Sequence, residues 1–458
     1  MHGKRLIALV LILTAGCVSP TRPDLHRLYA FDTGAENPPP VVLIHGFMAS
    51  KLRDRETGEQ IWPGSAGHAA ATGYLDLALE IDPETLEPLP SSTEPFALAP
   101  LAGDLGLDDH ILDVLSGPGG YSAAEPGSPV TGSGQKRYYV FLYDWRQDNV
   151  DTVRRLDGFL SRIRVDYSDP KLQVDVIAHG MGGLVIRYYM RYGTLDVLDD
   201  NEFPVNHYGA QFVRRVILLG VPNLGTTAAV EMFAKGRQAA HGRVPAEVFV
   251  TMPSLYQVLP HPISGSLVGP AGEGIAEDLF ESAVWRRFRW AIYDPEIESC
   301  IRQRFPTEQE ADAYLEVLDR YFDKRIERAR RFVWSLTVPA PKLVNRYVVF
   351  GGDCELTSAR ILVEPENNAM AIRLFPEDVE SKFDSVDYER LMLEPGDGTI
   401  TKSSLLARHA LNPAVPRHKH IYFPLDYSLF LCEGHSTLTA NVHFQNNLLN
   451  VLLRADER

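Results

Sequence analysis

The chain has 458 residues, of which 45% are hydrophobic, and its formal net charge is −15 because 60 Asp and Glu outnumber 45 Lys and Arg. This length and apolar content predict a folded protein with a large core, in two or three domains or in one enlarged α/β unit. We do not expect a chain this acidic to bind nucleic acid, because phosphate binding needs a basic surface.

The first residues have the pattern of an export signal. Lys4 and Arg5 precede the apolar run 6–13, and small residues then lead to Cys17. The run is too short to cross a membrane as a stable helix. Residues 1–17 resemble a bacterial lipoprotein signal, in which the cysteine becomes the lipidated first residue of the mature chain; the alternative is a plain secretory signal cleaved nearby. We expect an exported protein, held on a membrane surface of the periplasm or outer membrane by lipid on Cys17.

The other cysteines allow at most one disulfide if the first of the four carries lipid. Cys300, Cys354 and Cys432 then remain, and the pair we expect is Cys354 with Cys432. No pair of cysteines has the spacing of a zinc site, and we interpret His418 and His420 as part of a surface loop. The sequence therefore predicts no metal and no cofactor.

Short apolar runs recur along the chain and predict an α/β fold. Between two of them, apolar residues from Val153 to Ile163 recur at helical spacing after the possible caps Asp148 and Asn149. Strands that are apolar along their whole length are typical of a parallel sheet covered by helices on both faces. We expect strands at Val41–Ile44, Tyr138–Tyr143, Leu172–Ile177, Arg214–Leu219 and Asn345–Phe350.

Two stretches depart from this alternation. Residues 116–135 are rich in Gly and predict a long loop. Residues 226–340 contain no convincing strand but do contain a capping box, Thr307 to Glu310, ahead of a helical apolar pattern. We therefore predict a helical cap inserted into the sheet domain.

The predicted division is a sheet core in residues 36–225, the helical cap in 226–340 and the rest of the core in 341–458. The cap contains three aromatic residues, Trp285, Phe288 and Trp290. They line an apolar acyl pocket or pack the core of the insertion itself, and the sequence leaves both alternatives open.

The segment 174–185 has the strand, glycine turn and helix start of a nucleophile elbow, whose pattern is G-x-S-x-G. Ala178 and Gly182 occupy its two flanking positions, where small residues are needed because strand and helix pass closely. The central position, where a serine would attack a carbonyl carbon, is Gly180. Gly180 has no side chain and cannot be a nucleophile.

The other parts of a hydrolase site follow in the order expected for this fold. Asp397 lies on a Gly-rich turn and His435 in a later loop. His435 would be the general base, and Asp397 would orient it and stabilise its cation. The backbone amides of Phe47 and Met181 would form the oxyanion hole.

Motifs over residues 41–440 resemble the lecithin:cholesterol acyltransferase family of α/β hydrolases, which includes phospholipases and acyltransferases. The Tyr-Asp-Trp-Arg and Pro-Ser-Leu-Tyr-Gln stretches are the most specific of them. The motifs are Ile44-His45-Gly46-Phe47 with Ser50-Lys51-Leu52, Ile61-Trp62-Pro63-Gly64, Tyr143-Asp144-Trp145-Arg146, Ala178-His179-Gly180-Met181-Gly182-Gly183, Gly220-Val221-Pro222-Asn223-Leu224-Gly225-Thr226, Pro253-Ser254-Leu255-Tyr256-Gln257-Val258-Leu259-Pro260 and Gly396-Asp397-Gly398-Thr399.

The resemblance implies an exported enzyme that takes an acyl group from a glycerolipid through a serine ester and passes it to water or to a lipid alcohol. Asp397 and His435 match the acid and base of the family, whereas Gly180 stands in place of its serine. Two hypotheses follow. The chain is an acyl-ester hydrolase or acyltransferase-like protein in which His435 activates water, or it is an inactive lipid-binding pseudoenzyme on the membrane face.

A dinucleotide-binding turn at 180–185 is disfavoured, because Val185 stands where that fingerprint needs a small residue. His179 is expected to pack or to form hydrogen bonds rather than to catalyse. Asp144 and Arg146 are expected to form a structural ion pair.

Overall fold

The computed structural model describes residues 22–30, 38–99, 107–341, 347–412 and 414–453. The expected export signal and Cys17 lie outside these residues. A seven-stranded sheet forms the centre of the molecule.

The strands are numbered in chain order, and seven of them make up the central sheet. All the neighbouring pairs of that sheet are parallel. The strands are β1 (Val41–Ile44), β2 (Ser50–Asp54), β3 (Gln60–Trp62), β4 (Thr93–Leu98), β5 (Ser122–Ala123), β6 (Arg137–Phe141), β7 (Val174–His179), β8 (Val213–Leu219), β9 (Arg237–Ala239), β10 (Gly242–Val244), β11 (Leu267–Val268), β12 (Tyr347–Gly352), β13 (Glu355–Ser358), β14 (Ile361–Glu366), β15 (Ala369–Arg373), β16 (Leu393–Gly396) and β17 (Leu425–Leu431).

The order across the central sheet is β17-β12-β8-β7-β1-β6-β5, and the smaller sheets are β3-β2-β4, β9-β10, β11-β14-β15 and β13-β16. The helices lie on both faces of the central sheet and in the insertion. They are α1 (Leu25–Tyr29), α2 (Ala66–Thr72), α3 (Leu107–Ser116), α4 (Asn149–Asp166), α5 (Gly182–Tyr192), α6 (Thr227–Lys235), α7 (Ala246–Val250), α8 (Pro253–Tyr256), α9 (Ser282–Phe288), α10 (Pro295–Arg302), α11 (Glu308–Ser335), α12 (Tyr388–Met392), α13 (Lys402–Leu405) and α14 (Val442–Leu453).

The central strands are buried on both faces, which explains their continuous apolar sequence. Along β1, Val42 and Ile44 belong to the core on one face, whereas Val41 and Leu43 belong to the core on the other. Successive side chains of a strand point to opposite faces, so a strand covered on both sides needs apolar residues at every position. The α/β-hydrolase fold predicted from the sequence, with a mainly parallel sheet, is confirmed.

The expected helical signals are found with their caps. Helix α4 begins after Asp148, whose side chain accepts a hydrogen bond from the Val150 amide. Helix α11 begins after Thr307, whose side chain accepts from the Glu310 amide, as the capping box predicts. The stretch 116–135 differs from the expected uninterrupted loop, because β5 lies within it and pairs with β6.

The insertion predicted at 226–340 lies between two neighbouring strands of the sheet, β8 and β12, and contains helices α6 to α11. The expectation that it has no strand is wrong, since the hairpin β9-β10 and the short strand β11 lie inside it. These strands have two or three residues, too few for an alternating pattern to be visible in the sequence.

The three aromatic residues of the insertion are buried and pack against one another. The ring centroids of Trp285 and Trp290 are 5.8 Å apart, and those of Phe288 and Trp290 are 4.9 Å apart. Trp285 also contacts Phe322 of α11, with centroids 5.3 Å apart. Of the two alternatives, the structure shows the packed core of the insertion.

The cysteines, membrane-spanning helices and metal-binding groups were also subjects of the sequence predictions. Cys354 and Cys432 form a disulfide that joins the ends of β12 and β17, and Cys300 is exposed. No helix in the described ranges is long and apolar enough to cross a membrane. Nor do those ranges contain a group of three or more His, Cys, Asp or Glu side chains able to hold a metal ion.

Candidate active site

The elbow lies between the end of β7 and the start of α5. Gly180 has a φ of +51°, and its amide donates a hydrogen bond to the Leu219 carbonyl at the end of β8. A Cβ atom at Gly180 would contact only the Gly46 Cα, at 3.5 Å. The turn is therefore shaped as a nucleophile elbow, with an ordinary amount of room for a side chain at its centre.

The neighbouring glycines are tightly packed. A Cβ at Gly182 would lie 2.5 Å from the His45 carbonyl oxygen, and a Cβ at Gly183 would lie 2.3 Å from a Val221 methyl group. Helix α5 thus passes the loops after β1 and β8 at a distance that only glycine permits.

The expected acid and base are joined by a hydrogen bond. His435 Nδ1 lies 2.8 Å from Asp397 Oδ2, and the His435 amide donates to the Asp397 carbonyl. Asp397 Oδ1 accepts from the amides of Thr399 and Ile400, at 3.0 and 2.7 Å. The buried carboxylate is therefore held by its own turn while its second oxygen orients the imidazole.

The two pKa values of this pair move in opposite directions. Burial lowers the pKa of His435, but the charge of Asp397 and its hydrogen bond outweigh burial and raise that pKa above its ordinary value. Burial raises the pKa of Asp397, and the charge and hydrogen bond of His435 outweigh it and lower that pKa. The pair is thus suited to hold a proton on the imidazole beside an ionised carboxylate.

A second imidazole stands beside the first. His179 Nε2 lies 3.3 Å from His435 Nε2, and His179 Nδ1 lies 3.6 Å from a carboxylate oxygen of the buried Asp108. When neutral His435 donates from Nδ1 to Asp397, its Nε2 is an acceptor, and the tautomer of His179 with its proton on Nε2 can donate to it. His179 is therefore a hydrogen-bonding neighbour of the base, as its place in the sequence suggested.

The loop after β1 is held by the Tyr-Asp-Trp-Arg motif. The hydroxyl of Tyr143 donates to the His45 carbonyl at 2.8 Å, and its ring stacks on His45 at 4.2 Å. Trp145 Nε1 donates to the Ser50 carbonyl at 3.0 Å. Burial lowers the pKa of His45 to about 4, so this imidazole is neutral and structural.

The expected ion pair of this motif is present and buried. Two guanidinium nitrogens of Arg146 donate to Asp144, at 2.9 and 2.8 Å. Burial raises the pKa of Asp144, but the charge of Arg146 outweighs it and lowers that pKa. The Leu77 carbonyl accepts a hydrogen bond from the same guanidinium, so the ion pair connects the loop after β6 to the segment that contains Leu77.

The amides expected to form the oxyanion hole border one cleft. Phe47 and Met181 both line it, together with Gly180 and His435. Neither amide donates a hydrogen bond to another residue of the described ranges. Both N–H groups are thus available to a ligand oxygen.

The same cleft is mainly apolar. Its volume is about 1210 Å³, including the part open to solvent, and Trp62, Leu255 and Val258 contribute to its wall. Met232 of α6 also lines it, so the inserted segment forms one side of the cleft. A cleft with an apolar wall and a small number of polar groups at one end fits an acyl chain with its ester.

The structure brings together five of the six expected site residues. Gly180, Met181, Phe47 and His435 border the cleft, Asp397 lies behind His435, and Cys17 lies outside the described residues.

Sequence reasoning assigned no role to Gly220, Asp108 or Arg237. A Cβ at Gly220 would lie 2.7 Å from His435 Cε1, and Arg237 lines the cleft. Gly220 was visible only as part of a motif, whereas Asp108 and Arg237 have no local pattern that marks them.

A family model decides the relationship of this segment. Residues 135–254, which run from the loop before β6 to the start of α8, match the model for lecithin:cholesterol acyltransferase. This segment is similar to the lecithin:cholesterol acyltransferase family. The family recognised from the sequence motifs is thereby confirmed, and the matched residues include Gly180. No curated protein sequence matches the chain.

The chain is similar to several solved structures. A chain of the Tle4-Tli4 complex is 13% identical with a TM-score of 0.53, and the alignment covers 91% of this chain and 98% of that one. EstA from Clostridium botulinum is 12% identical with a TM-score of 0.37, over 92% and 89% of the two chains. The lipase BlEst2 from Bacillus licheniformis in its mature form is 10% identical with a TM-score of 0.34, over 92% and 94%. The likeness to the chain of the Tle4-Tli4 complex shows a shared fold.

Proposed function

We propose that this lecithin:cholesterol acyltransferase-like chain acts on lipid acyl esters, with His435 activating a water molecule at the position where the family has its serine. The observation that carries this proposal is the Asp397–His435 hydrogen bond of 2.8 Å, formed beside Gly180 at the end of an apolar cleft. General base catalysis needs a group that accepts a proton and a partner that orients this group. His435 is the acceptor and Asp397 is the partner.

In the proposed reaction, water adds to the ester carbonyl carbon while one of its protons passes to His435 Nε2. The carbonyl electron pair moves onto oxygen, where the amides of Phe47 and Met181 donate to it. The carbonyl then re-forms, the bond to the alcohol oxygen breaks, and the alcohol takes the proton from His435. The products are a carboxylic acid and an alcohol, and the imidazole returns to its starting state.

The geometry leaves room for this water. A Cβ at Gly180 would make one contact, at 3.5 Å, so the space next to the Gly180 Cα is open. Enzymes of this kind that lose a member of their triad retain roughly 10³- to 10⁴-fold catalysis over water through the oxyanion hole and binding. We expect turnover at that residual level, far below that of a serine enzyme.

A second function, lipid binding without turnover, is favoured by a different contact. His179 Nε2 lies 3.3 Å from His435 Nε2, and in the tautomer with its proton on Nε2 it donates to the nitrogen that would accept the proton of water. A base whose lone pair is occupied by a neighbour is a weaker proton acceptor. In this alternative the chain is a pseudoenzyme that retains the cleft of its family.

The test compares four proteins that begin after Cys17: the unchanged sequence, His435→Ala, Gly180→Ser, and Gly180→Ser with His435→Ala. Each is assayed on short-chain esters and on phospholipid vesicles, and each is checked for folding by circular dichroism. We expect weak hydrolysis from the unchanged protein, strong hydrolysis from Gly180→Ser, and loss of that gain when the imidazole is also removed. His420→Ala, a change in an exposed loop, is the matched control for loss of a histidine.

The outcomes separate the two functions. If only Gly180→Ser is active, the site is intact but lacks its nucleophile, which contradicts the water mechanism and favours lipid binding without turnover. Folded proteins that are all inactive contradict the water mechanism. Activity of the unchanged protein that survives His435→Ala would also contradict it.

We also propose that the chain is exported and anchored to a membrane surface by lipid on Cys17. The support is the order of charged, apolar and small residues that ends at Cys17. Bacterial cells that express the full chain and its Cys17→Ser variant are labelled with radioactive palmitate and fractionated. The unchanged protein should carry the label and be found in the membrane fraction. Equal labelling and equal distribution of the two proteins would contradict the proposal.

A further inference from the structure

Arg237 is a half-buried cation in the wall of the cleft. It is the first residue of β9 and pairs with Val244 of β10. The residue before it, Gly236, has a φ of +69°, and a Cβ there would lie 2.2 Å from the Val244 carbonyl oxygen. The tight turn between α6 and β9 therefore fixes where the Arg237 side chain leaves the backbone.

The guanidinium of Arg237 forms no ion pair and donates no side-chain hydrogen bond to any residue of the described ranges. Other arginines do: the buried Arg146 binds Asp144 at 2.8 Å, and the half-buried Arg328 binds Asp148 at 2.7 Å. Glu231 is the acidic group whose charge acts on Arg237, but its carboxylate lies 3.8 Å from Lys235 Nζ.

An unpaired cation in such a place is unfavourable for folding alone. Burial lowers the pKa of Arg237, and Glu231 offsets only part of this effect. Removing a charge from water without a partner costs free energy, so such groups are normally paired. A half-buried guanidinium without a protein partner, facing a cleft, matches the needs of an anionic ligand.

The surroundings of Arg237 restrict what this ligand can be. The cleft contains the base, since His435 also lines it, and the positive charge of Arg237 acts on His435. Much of the remaining wall is apolar, with Trp62, Met232 and Leu255 among its residues. A small inorganic anion would leave this wall in contact with water, whereas an alkyl chain would cover it.

We propose that the cleft binds an amphiphile with an oxyanion head group, which pairs with Arg237 while its alkyl chain lies along the apolar wall. The head group is the carboxylate of a free fatty acid or the phosphate of a lipid, which present the same chemistry to a guanidinium. The proposal adds a ligand class to the proposed function and shares its cleft, but it requires no turnover. Its test is therefore independent of whether His435 catalyses.

The test measures binding by calorimetry to the purified protein with four probes: octanoate, monooctyl phosphate, octanol and inorganic phosphate. The variants are Arg237→Gln and, as a matched control in the same hairpin, Arg243→Gln. Arg243 is exposed and donates to the Lys235 carbonyl outside the cleft. Hydrogen bonds to a charged group are worth enough for a change of roughly 10- to 100-fold in affinity.

We expect at least one of the two alkyl oxyanions to bind more tightly than octanol by roughly 10- to 100-fold. Arg237→Gln should remove that preference and leave octanol binding unchanged, and Arg243→Gln should retain it. Preference for octanoate identifies a fatty acid as the source of the head group, and preference for monooctyl phosphate identifies a phospholipid. Inorganic phosphate should bind more weakly than monooctyl phosphate.

Several results would overturn the proposal. The role of Arg237 in binding an oxyanion is contradicted if octanol and both oxyanions bind with equal affinity, or if no probe binds. It is also contradicted if the preference for an oxyanion survives Arg237→Gln. If inorganic phosphate binds as tightly as monooctyl phosphate, the alkyl chain adds no affinity and the ligand is not an amphiphile. Thermal unfolding supplies an independent readout: Arg237→Gln should leave Tm unchanged or raise it, and a Tm lowered by many degrees would show that Arg237 stabilises the fold instead.

Discussion

Glycine residues surround the base and the elbow for two different physical reasons. Gly182, Gly183 and Gly220 lie where a Cβ would come within 2.7 Å of a neighbouring atom. Gly180 differs from them, because its Cβ would meet one atom at an ordinary distance of 3.5 Å, and only its φ of +51° is unusual. Serine at an elbow adopts such a strained backbone in hydrolases, so Gly180 is the position where a side chain can be introduced.

Gly220→Ala should displace the base. The new methyl group would lie 2.7 Å from His435 Cε1 at a φ of +51°, so in the Gly180→Ser protein we expect esterase activity to fall at least tenfold. The backbone conformation alone should lower the free energy of unfolding by roughly 1–2 kcal/mol. Esterase assays and urea unfolding measure the two effects.

Gly58→Ala is the matched control for this substitution. Gly58 also has a positive φ, +72°, but nothing lies within 4 Å of the added Cβ. It should lower stability by a similar amount and leave activity unchanged. Equal activity losses in the two variants would show that contact with His435 is not the cause.

The pH dependence of the Gly180→Ser protein should reflect the environment of His435. A general base acts in its neutral form, and Asp397 raises the pKa of His435 above its ordinary value of 6.5 despite burial. Activity should therefore be low in acid and rise with pH, with a midpoint above 6.5. A series of kcat/KM values against pH measures this midpoint, and a midpoint at or below 6.5 contradicts the assigned pair.

Asp397→Asn supplies the comparison for this profile. It removes the carboxylate that raises the pKa, so the midpoint of any remaining activity should move to lower pH. Loss of the orienting acid lowered kcat by about 10⁴-fold in a serine protease, and we expect a loss of similar order here.

At the scale of elements, the site is assembled at the carboxyl ends of neighbouring strands. The turns after β1 and β7 supply the two amides proposed for the oxyanion hole, and the loop after β17 supplies His435. In an open α/β sheet these ends meet along one edge, which is where ligands bind. The disulfide between Cys354 and Cys432 joins the ends of β12 and β17 beside the base.

Removing this disulfide should lower both stability and activity. Cys354→Ala with Cys432→Ala opens a cross-link between residues 78 apart, for which we expect a loss of about 2–4 kcal/mol in the free energy of unfolding. Cys432 is three residues before His435, so the Gly180→Ser form should also lose activity. Urea unfolding and esterase assays test this. Cys300→Ala, at an exposed position, should change neither, and an unchanged double variant would contradict the prediction.

At the scale of the whole molecule, the sheet and the insertion contribute different residues to the cleft. The sheet positions the base and the elbow, while the insertion adds Met232 and Arg237 to the wall of the cleft. The net charge of −15 acts over the entire surface and opposes approach to an anionic membrane. Attachment to a membrane then depends on the lipid proposed for Cys17.

The soluble protein that begins after Cys17 should bind anionic vesicles poorly. Like charges repel, and a negative chain lacks the electrostatic attraction that basic segments have for anionic lipids. Co-sedimentation with anionic and zwitterionic vesicles at low and physiological salt measures this. Strong binding to anionic vesicles that falls as salt rises would contradict the expectation.

Much of the site could be predicted because its signals are local. The elbow, Asp397 and His435 each lie in a turn whose glycines are readable in the sequence, and the structure joins the latter two by a hydrogen bond of 2.8 Å. The hairpin β9-β10 could not be predicted, since its strands have three residues each. The roles of Asp108 and Arg237 were equally inaccessible, because each depends on residues distant in the chain.

The sequence by itself determined the parallel α/β sheet, the order of the hydrolase parts and the lack of a side chain at Gly180. Each of these depends on apolar runs, glycine turns or residue identity, which are properties of short segments. Only the tertiary structure decided that His179 contacts the base and that Arg237 faces the cleft without a protein partner. Those facts depend on distances between segments that fold together, and no local pattern encodes them.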